Sequence, residues 1–315
     1  MTRLLITRPL PEKVIEAARA RFDVTLRAET TPLTPAELRA ALHYDAVLPT
    51  LGDLFRAEVF ADVPAPKARI LANFGVGTNH IDIAAARAAG LAVTNTPGAV
   101  TDATADIALT LILMTARRAG EGERLVRSGQ WQGWHPTQML GMHVTGRSLG
   151  IIGMGRIGKA IARRCHHGFG MEVRFFNRSP VVDPGLPARQ TDLAETLAAD
   201  IVVVAVPATP ATHHLIDAAA LARMRPHALL INIARGDIVD EAALIEALQQ
   251  GRIAGAGLDV YEHEPTVPET LTAMQNVTLL PHLGTAALDV REAMGMMALD
   301  NLTAFFDGRD PPHPV

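Results

Sequence analysis

The sequence predicts an α/β fold of two doubly wound parallel-sheet domains, and three observations carry that expectation. Short β-like runs alternate with helical patterns almost from end to end, the arrangement that builds a parallel sheet covered by helices. At about 150 residues per domain, a chain of 315 residues has room for two. The alternation pauses at a long apolar helical pattern and a tryptophan-bearing loop, then restarts, so the second domain is expected to begin near residue 100.

In the first part, strands are expected at Leu4–Thr7, Val24–Leu26, Ala46–Leu48, Ile70–Asn73 and Ala92–Thr94. An amphipathic stretch, Glu12–Arg21, lies between the first two. Thr34-Pro35-Ala36-Glu37 is a capping box with proline at the first helical position. Gly90 ends the Ile81–Ala89 helix at C′. A long helix is expected from Ala103 to about Arg127, apolar nearly all round in its first half. Such a helix needs cover on several sides, inside a domain or between two subunits. After the loop with Trp131, Trp134 and Pro136, strands are expected at Leu149–Ile152, Val173–Phe176, Ile201–Val206, Leu229–Ile233, Gly257–Val260 and Val277–Leu280. The helix Ala286–Phe306 closes the pattern, with no internal repeat and no low-complexity segment.

Composition removes several classes of function. Twenty-nine Lys and Arg against 33 Asp and Glu give a net charge of −4, without the basic excess that nucleic acid would require. A 48% hydrophobic, 20% charged chain is not globally disordered. The single cysteine, Cys165, allows neither an internal disulfide nor a cysteine metal cluster, and fits a reducing compartment. The apolar run between Arg3 and Arg8 is too short for a signal peptide. Ile107–Ala116 is half the length of a membrane span. The expectation is a cytoplasmic protein with no membrane or nucleic-acid partner.

Residues 150–160 read GIIGMGRIGKA, so Gly153, Gly155 and Gly158 form G-x-G-x-x-G between an apolar strand and a helical pattern. The first glycine permits the tight turn, the second lets backbone approach a pyrophosphate, and the third lets helix and strand pack closely. The helix N-terminus then attracts the diphosphate. A carboxylate about 20 residues on would bind the ribose 2′-OH of NAD. Asn177-Arg178-Ser179 occupies that place instead. A guanidinium and a hydroxyl there suit a 2′-phosphate, so NADP(H) is expected, with NAD(H) the alternative.

A dinucleotide that carries hydride calls for a substrate anchor and a proton donor nearby. Arg235 follows the Leu229–Ile233 strand, at the end where ligands bind in doubly wound sheets, and its planar fork suits a carboxylate. His282 follows another strand and is a natural proton donor near neutral pH. Glu264, just past a third strand, would orient the ring and favour its charged form. Asp259 ends that strand and either bonds the nicotinamide carboxamide or caps a turn. The adjacent pairs His166-His167 and His213-His214 cannot share a helix face as i, i+4 ligands would, and His263 is expected to be exposed. No metal is expected.

Six motifs in one order give the whole chain a family resemblance: NFGVGTNHID at 73–82, TNTPG at 94–98, GIIGMGRIG at 150–158, INIARGDIVDE at 231–241, GLDVYEHEP at 257–265 and PHLGTAA at 281–287. The chain resembles the D-2-hydroxyacid dehydrogenases of the glyoxylate/hydroxypyruvate reductase kind. The resemblance implies a flavodoxin-like substrate domain, 1–99 with 287–315, a Rossmann dinucleotide domain, 100–286, and a cleft between them. It implies reduction of glyoxylate or hydroxypyruvate to the D-2-hydroxy acid, with Arg235, Glu264 and His282 as the catalytic residues. Leu51, Val76 and Gly77 would line the substrate, and Thr104 would lie near the nicotinamide. The implied cofactor surface also takes in Met154, Arg156, Ile157, Val206, Pro207, Thr212, Ile233, Ala234 and Gly284. A homodimer is expected to bury the region from Ile107 to Met114 and the tryptophan loop, with Trp134 near the partner's active site. The rival readings are NAD-dependent oxidation of another small anion and a dinucleotide-sensing binding protein. The lack of long disordered tails counts against the second.

Overall fold

The computed structural model describes all residues from Met1 to Val315, which form two compact units: Met1–Val100 with Thr285–Val315, and Thr101–Gly284. In the first unit, five short strands, β1 (Arg3–Ile6), β2 (Asp23–Leu26), β3 (Ala46–Leu48), β4 (Ile70–Ala72) and β5 (Ala92–Thr94), alternate with α1 (Glu12–Arg19), α2 (Pro35–Ala41), α3 (Ala57–Ala61) and α4 (Ile83–Ala88). The strands are all parallel in the order β2-β1-β3-β4-β5, the flavodoxin-like winding. Local signals act as read. Thr34 and Glu37 complete the reciprocal capping box at α2, and Gly90 has φ +85° just beyond α4.

The second unit opens with α5 (Thr101–Ala116) and α6 (Ala119–Arg127). A seven-stranded parallel sheet follows: β6 (Ser148–Ile152), β7 (Glu172–Phe176), β8 (Ala188–Gln190), β9 (Ile201–Val204), β10 (Leu229–Asn232), β11 (Gly255–Leu258) and β12 (Val277–Leu279). Its helices are α7 (Arg156–Phe169), α8 (Leu193–Leu197), α9 (Ala218–Leu221), α10 (Glu241–Gln249) and α11 (Glu269–Ala273). The order β12-β11-β10-β9-β6-β7-β8 reverses direction between β6 and β9, as in a Rossmann sheet. Alternate residues serve opposite faces. Ile152, Val202, Val204 and Leu230 belong to one core, and Leu149, Ile151, Val203 and Ile231 to the other. Within the second core Cys165 is fully buried on α7, and burial pushes its thiol up to about 12. The last helix, α12 (Leu288–Phe306), returns to the first unit and packs on α1 and β4. No helix is long and apolar enough to cross a membrane.

Three expectations need correction. The helix expected through Arg127 breaks after Ala116, because Arg118 takes a left-handed φ of +53°. The Ala116 carbonyl accepts the Met142 N–H at 2.7 Å instead of continuing a helical ladder, and Arg118 makes two 2.8 Å bonds to Glu121. The strand expected at Gly257–Val260 begins two residues earlier and ends at Leu258. A Cβ on Gly257 would lie 2.8 Å from Thr115 Oγ1, so α5 sits directly against this glycine-rich strand. The edge strand β8 was not expected, since its Ala-Arg-Gln sequence has no apolar alternation.

Candidate functional site

The carboxyl ends of the seven strands gather the residues with chemistry. After β6, Gly153 has φ +101°, and a Cβ on it would lie 2.7 Å from the Ala205 carbonyl. A Cβ on Gly158 would lie 2.1 Å from the Gly153 carbonyl, so the close packing of helix and strand depends on glycine. At Gly155 a Cβ would meet nothing within 4 Å, leaving open space before α7, whose N-terminus has no side-chain cap. This loop therefore fits a diphosphate: bare helix N–H groups face a space that any side chain at residue 155 would fill. Met154 is buried, Gly155 and Arg156 are exposed, and Ile157 is half-buried.

Asn177-Arg178-Ser179 follows β7 directly. The Asn177 amide donates to the Ser179 carbonyl at 2.8 Å, and Gln190 donates to the carbonyls of both Asn177 and Ser179. The turn is thus held by the side-chain amides of Asn177 and Gln190 while the Arg178 side chain stays exposed. After β9, the Thr212 hydroxyl donates to the Pro207 carbonyl at 2.7 Å and accepts the Thr209 N–H, which closes the loop that begins at Val206.

Arg235, Glu264 and His282 come from three separate strand ends. Beyond β10, past Ile233 and Ala234, Asn232 accepts the Ala234 N–H and donates to the Arg235 carbonyl at 2.9 Å, fixing the turn that presents Arg235. Burial pulls the Arg235 guanidinium below its ordinary value, countered by the charges of Glu264 and Asp237. It remains a cation at any working pH. Beyond β11, one oxygen of Glu264 accepts the Tyr261 N–H at 3.1 Å, and the other lies 2.8 Å from His282 Nδ1. Burial alone would raise the Glu264 carboxyl. The bond to His282, the Tyr261 N–H and the charge of Arg235 outweigh burial and hold it below the ordinary carboxylate range. Of the two ring nitrogens of His282, Nδ1 is the one that Glu264 engages.

Asp259 is 1% exposed, and its two oxygens accept the N–H groups of Leu283 and Gly284 at 2.6 and 2.8 Å. Its carbonyl accepts the His282 N–H at 2.9 Å. It therefore caps the turn in which His282 takes a φ of +54°. Thr104 joins the same turn through a 3.2 Å bond to the Gly284 carbonyl. Sequence reasoning missed Gly236 and Tyr261. A Cβ on Gly236 would lie 1.9 Å from the Tyr261 carbonyl carbon, so only glycine lets the Arg235 turn meet the segment leading to Glu264. The Arg-Gly pair was visible in the sequence, but the approach of residue 261 was not.

In the first unit, Leu51 sits in a turn after β3 built around the buried Asp53. That carboxylate accepts the Thr7 hydroxyl at 2.6 Å, the N–H groups of Thr50 and Leu33 at 2.9 and 3.0 Å, and Arg8 at 3.2 Å. Arg8 also donates to the Leu51 carbonyl at 2.5 Å. After β4, the carbonyls of Gly75 and Gly77 accept the Asn73 amide, and that of Val76 accepts the Asn95 amide. Val76 itself is 37% exposed.

One cluster was not foreseen. The segment 213–214 is a turn and not a helix, and His214 has φ +48°, which stacks the His213 and His214 rings 4.0 Å apart. His214 Nε2 lies 2.9 Å from Glu262 Oε1.

Comparison with known proteins agrees with this geometry. Residues 109–284 match the family model for the D-isomer specific 2-hydroxyacid dehydrogenase, NAD binding domain. The glyoxylate reductase of Thermococcus gammatolerans is 44% identical over 98% of this chain and 94% of its own length, and that of Pyrococcus horikoshii has the same identity and coverage. Among solved structures, a Thermus thermophilus protein superimposes with a TM-score of 0.92 at 42% identity, covering 99% of each chain. The NADPH-dependent glyoxylate/hydroxypyruvate reductase of Sinorhizobium meliloti, solved with NADP and malonate, gives 0.88 at 36% identity, covering 100% of this chain and 96% of that one.

Proposed function

The chain belongs to the D-isomer specific 2-hydroxyacid dehydrogenase family, and from that premise we propose that it reduces glyoxylate or hydroxypyruvate to the D-2-hydroxy acid. The 2.8 Å contact between Glu264 and His282 Nδ1, beside the half-buried Arg235, is the observation that carries this reading. The Thr101–Gly284 unit binds the nicotinamide dinucleotide, and the unit holding Leu51, Val76 and Gly77 is the substrate domain. When bound, the cofactor supplies hydride to the substrate carbonyl carbon. Arg235 holds the carboxylate and polarises the adjacent carbonyl. The charged His282 donates a proton from Nε2 to the carbonyl oxygen, leaving a neutral ring and a hydroxyl group. Glu264 keeps the ring oriented through its contact with Nδ1.

NADP(H) is preferred over NAD(H), because Arg178 stands exposed where a 2′-phosphate would arrive and no carboxylate there opposes it. The chain acts as a homodimer. Trp134 is 79% exposed and Leu140 68%, an apolar surface that a second copy would cover. Optical assay of NADPH and NADH oxidation with a panel of 2-oxo acids tests the activity. Turnover with glyoxylate or hydroxypyruvate, faster with NADPH, is expected, and no turnover with either acid defeats the reading. Arg178→Ala should weaken NADPH more than NADH, and equal losses would remove the cofactor preference. A monomer mass by light scattering at micromolar concentration would remove the dimer.

A further inference from the structure

Two loops that follow neighbouring regions of the seven-stranded sheet converge on a group of side chains outside the Arg235–Glu264–His282 constellation. The first runs from Val206 to Asp217 and carries His213 and His214. It is strapped in place by backbone bonds from His214 to Asp237 at 2.9 Å and from Ile216 to Ile238 at 3.0 Å. The second carries Glu262, fixed by a reciprocal pair of contacts: Glu262 accepts the Glu241 N–H at 3.3 Å, and Glu241 accepts the Glu262 N–H at 3.4 Å. His214 Nε2 and Glu262 Oε1 are 2.9 Å apart. One ligand atom each from His213, His214 and Glu262 lie within 4.8 Å of one another.

We propose that His213, His214 and Glu262 form a binding site for a divalent transition cation of the zinc class. Two imidazole nitrogens and one carboxylate oxygen are the donor set such ions take, whereas magnesium and calcium take oxygen alone. Bonds of about 2.0–2.1 Å in a tetrahedral arrangement place donor atoms roughly 3.3 Å apart. His214 Nε2 and Glu262 Oε1, at 2.9 Å, need to part by only a few tenths of an ångström to reach that spacing. The His213 ring, stacked on His214 with 26° between planes, must turn about its side-chain bonds to aim a nitrogen at the same point. It is exposed and can do so without moving the backbone. The far nitrogen of His214, Nδ1, lies 3.9 Å from Asp240 Oδ2, so a small shift gives the ligating ring the carboxylate partner that metal-bound histidines commonly have. Asp240, Glu241 and Glu262 also give this corner a negative field that favours a cation. Water completes the coordination on the exposed side. A bound ion would tie the loop of Pro207 and Thr212 to the segment that leads into Glu264.

The test is titration of the full-length chain, freed of metal with a chelator, with Zn²⁺ in a calorimeter and with Co²⁺ followed by visible absorption. Wild type should take up one equivalent at this site, with the intense visible bands of tetrahedral Co²⁺. His213→Ala and Glu262→Gln, both at solvent-accessible positions, should each weaken that equivalent by more than about tenfold, at least the loss typical of a disturbed metal site. His166→Ala, in the other adjacent pair, should leave it unchanged. Equal affinity and stoichiometry in wild type, His213→Ala and Glu262→Gln would overturn the proposal, as would a His166→Ala variant that loses the same equivalent.

Discussion

Two of the imidazole–carboxylate pairs in the Thr101–Gly284 unit have nearly the same geometry and stand at opposite ends of one sheet. His282 and Glu264 meet at 2.8 Å beyond the carboxyl ends of the strands, and His227 and Asp200 meet at 2.7 Å before the amino ends of β9 and β10. The surroundings differ. Asp200 also accepts the Ser148 N–H and hydroxyl at 3.0 and 2.9 Å and Arg225 at 3.0 Å. Its own N–H donates to Ser148 Oγ, and its carbonyl accepts the Leu229 N–H. Every bond in that group ties the beginnings of β6, β9 and β10 together. Glu264, by contrast, has a single backbone donor beyond His282. A histidine on a carboxylate is therefore no signature of catalysis by itself. The end of the parallel sheet separates these two pairs, because ligands approach the carboxyl ends.

The largest test of that contrast is His282→Ala, which should lower kcat for glyoxylate by roughly 10²–10⁴ while leaving the thermal midpoint nearly unchanged. Asp200→Ala should do the reverse. It leaves the Ser148 N–H without its acceptor and should cost about 1–3 kcal/mol in urea unfolding, with kcat retained. Loss of kcat in folded Asp200→Ala would break the comparison.

Acid sharpens it further. Burial alone would raise the Asp200 carboxyl, but bonds from His227, Ser148 and Arg225 outweigh burial and hold it well below its ordinary value. A carboxyl depressed in the folded state stabilises fully above the unfolded value of about 3.9 and loses that contribution as pH falls below it. Asp200→Asn should accordingly be less stable at neutral pH and show a flatter acid limb, checked by melts from neutral to acid pH. A parallel downward shift at every pH would show that the Asp200 charge is not what acid removes.

At the carboxyl end of the sheet, Glu264 is also held below the ordinary carboxylate range and stays ionised throughout the neutral region. With His282 as the proton donor, reduction should fade as pH rises, and Glu264→Gln, which removes the carboxylate beside the ring, should alter that limb. Identical pH–kcat profiles, with a deuteride isotope effect showing chemistry to be rate-limiting, would take Glu264 out of its role. The smallest effect belongs to His227→Ala. Its ring is 53% exposed, so the substitution should cost less than about 1 kcal/mol and leave the profile unmoved.

Legibility in the sequence followed the range of each interaction. β3 and β5 stand at the residues expected, because buried apolar runs bounded by turns are local signals. The glycine loop was legible for the same reason, its strand, turn and helix being contiguous. The break at Arg118 was not, since what stops α5 is the Met142 N–H arriving from a later loop. Likewise Arg235, Glu264 and His282 were each visible as polar residues after strands. That they share a site while His227 and Asp200 make a clamp depends on pairings across separate strands. Ser148 and Asp200 lie 52 residues apart, and nothing local to either announces the other.

Cys165 leaves one further consequence. Its thiol is fully covered on α7, and burial raises it to about 12, far above the roughly 8.5 of a free cysteine. A thiol reagent cannot attack it until α7 lifts from the core it packs on, and no second cysteine contributes a background signal. The rate at which the native chain takes up such a reagent is therefore a clock for the opening of the helix beneath the glycine loop. Slowing of that clock by NADPH would report, in units of time, how firmly the bound dinucleotide holds the helix shut.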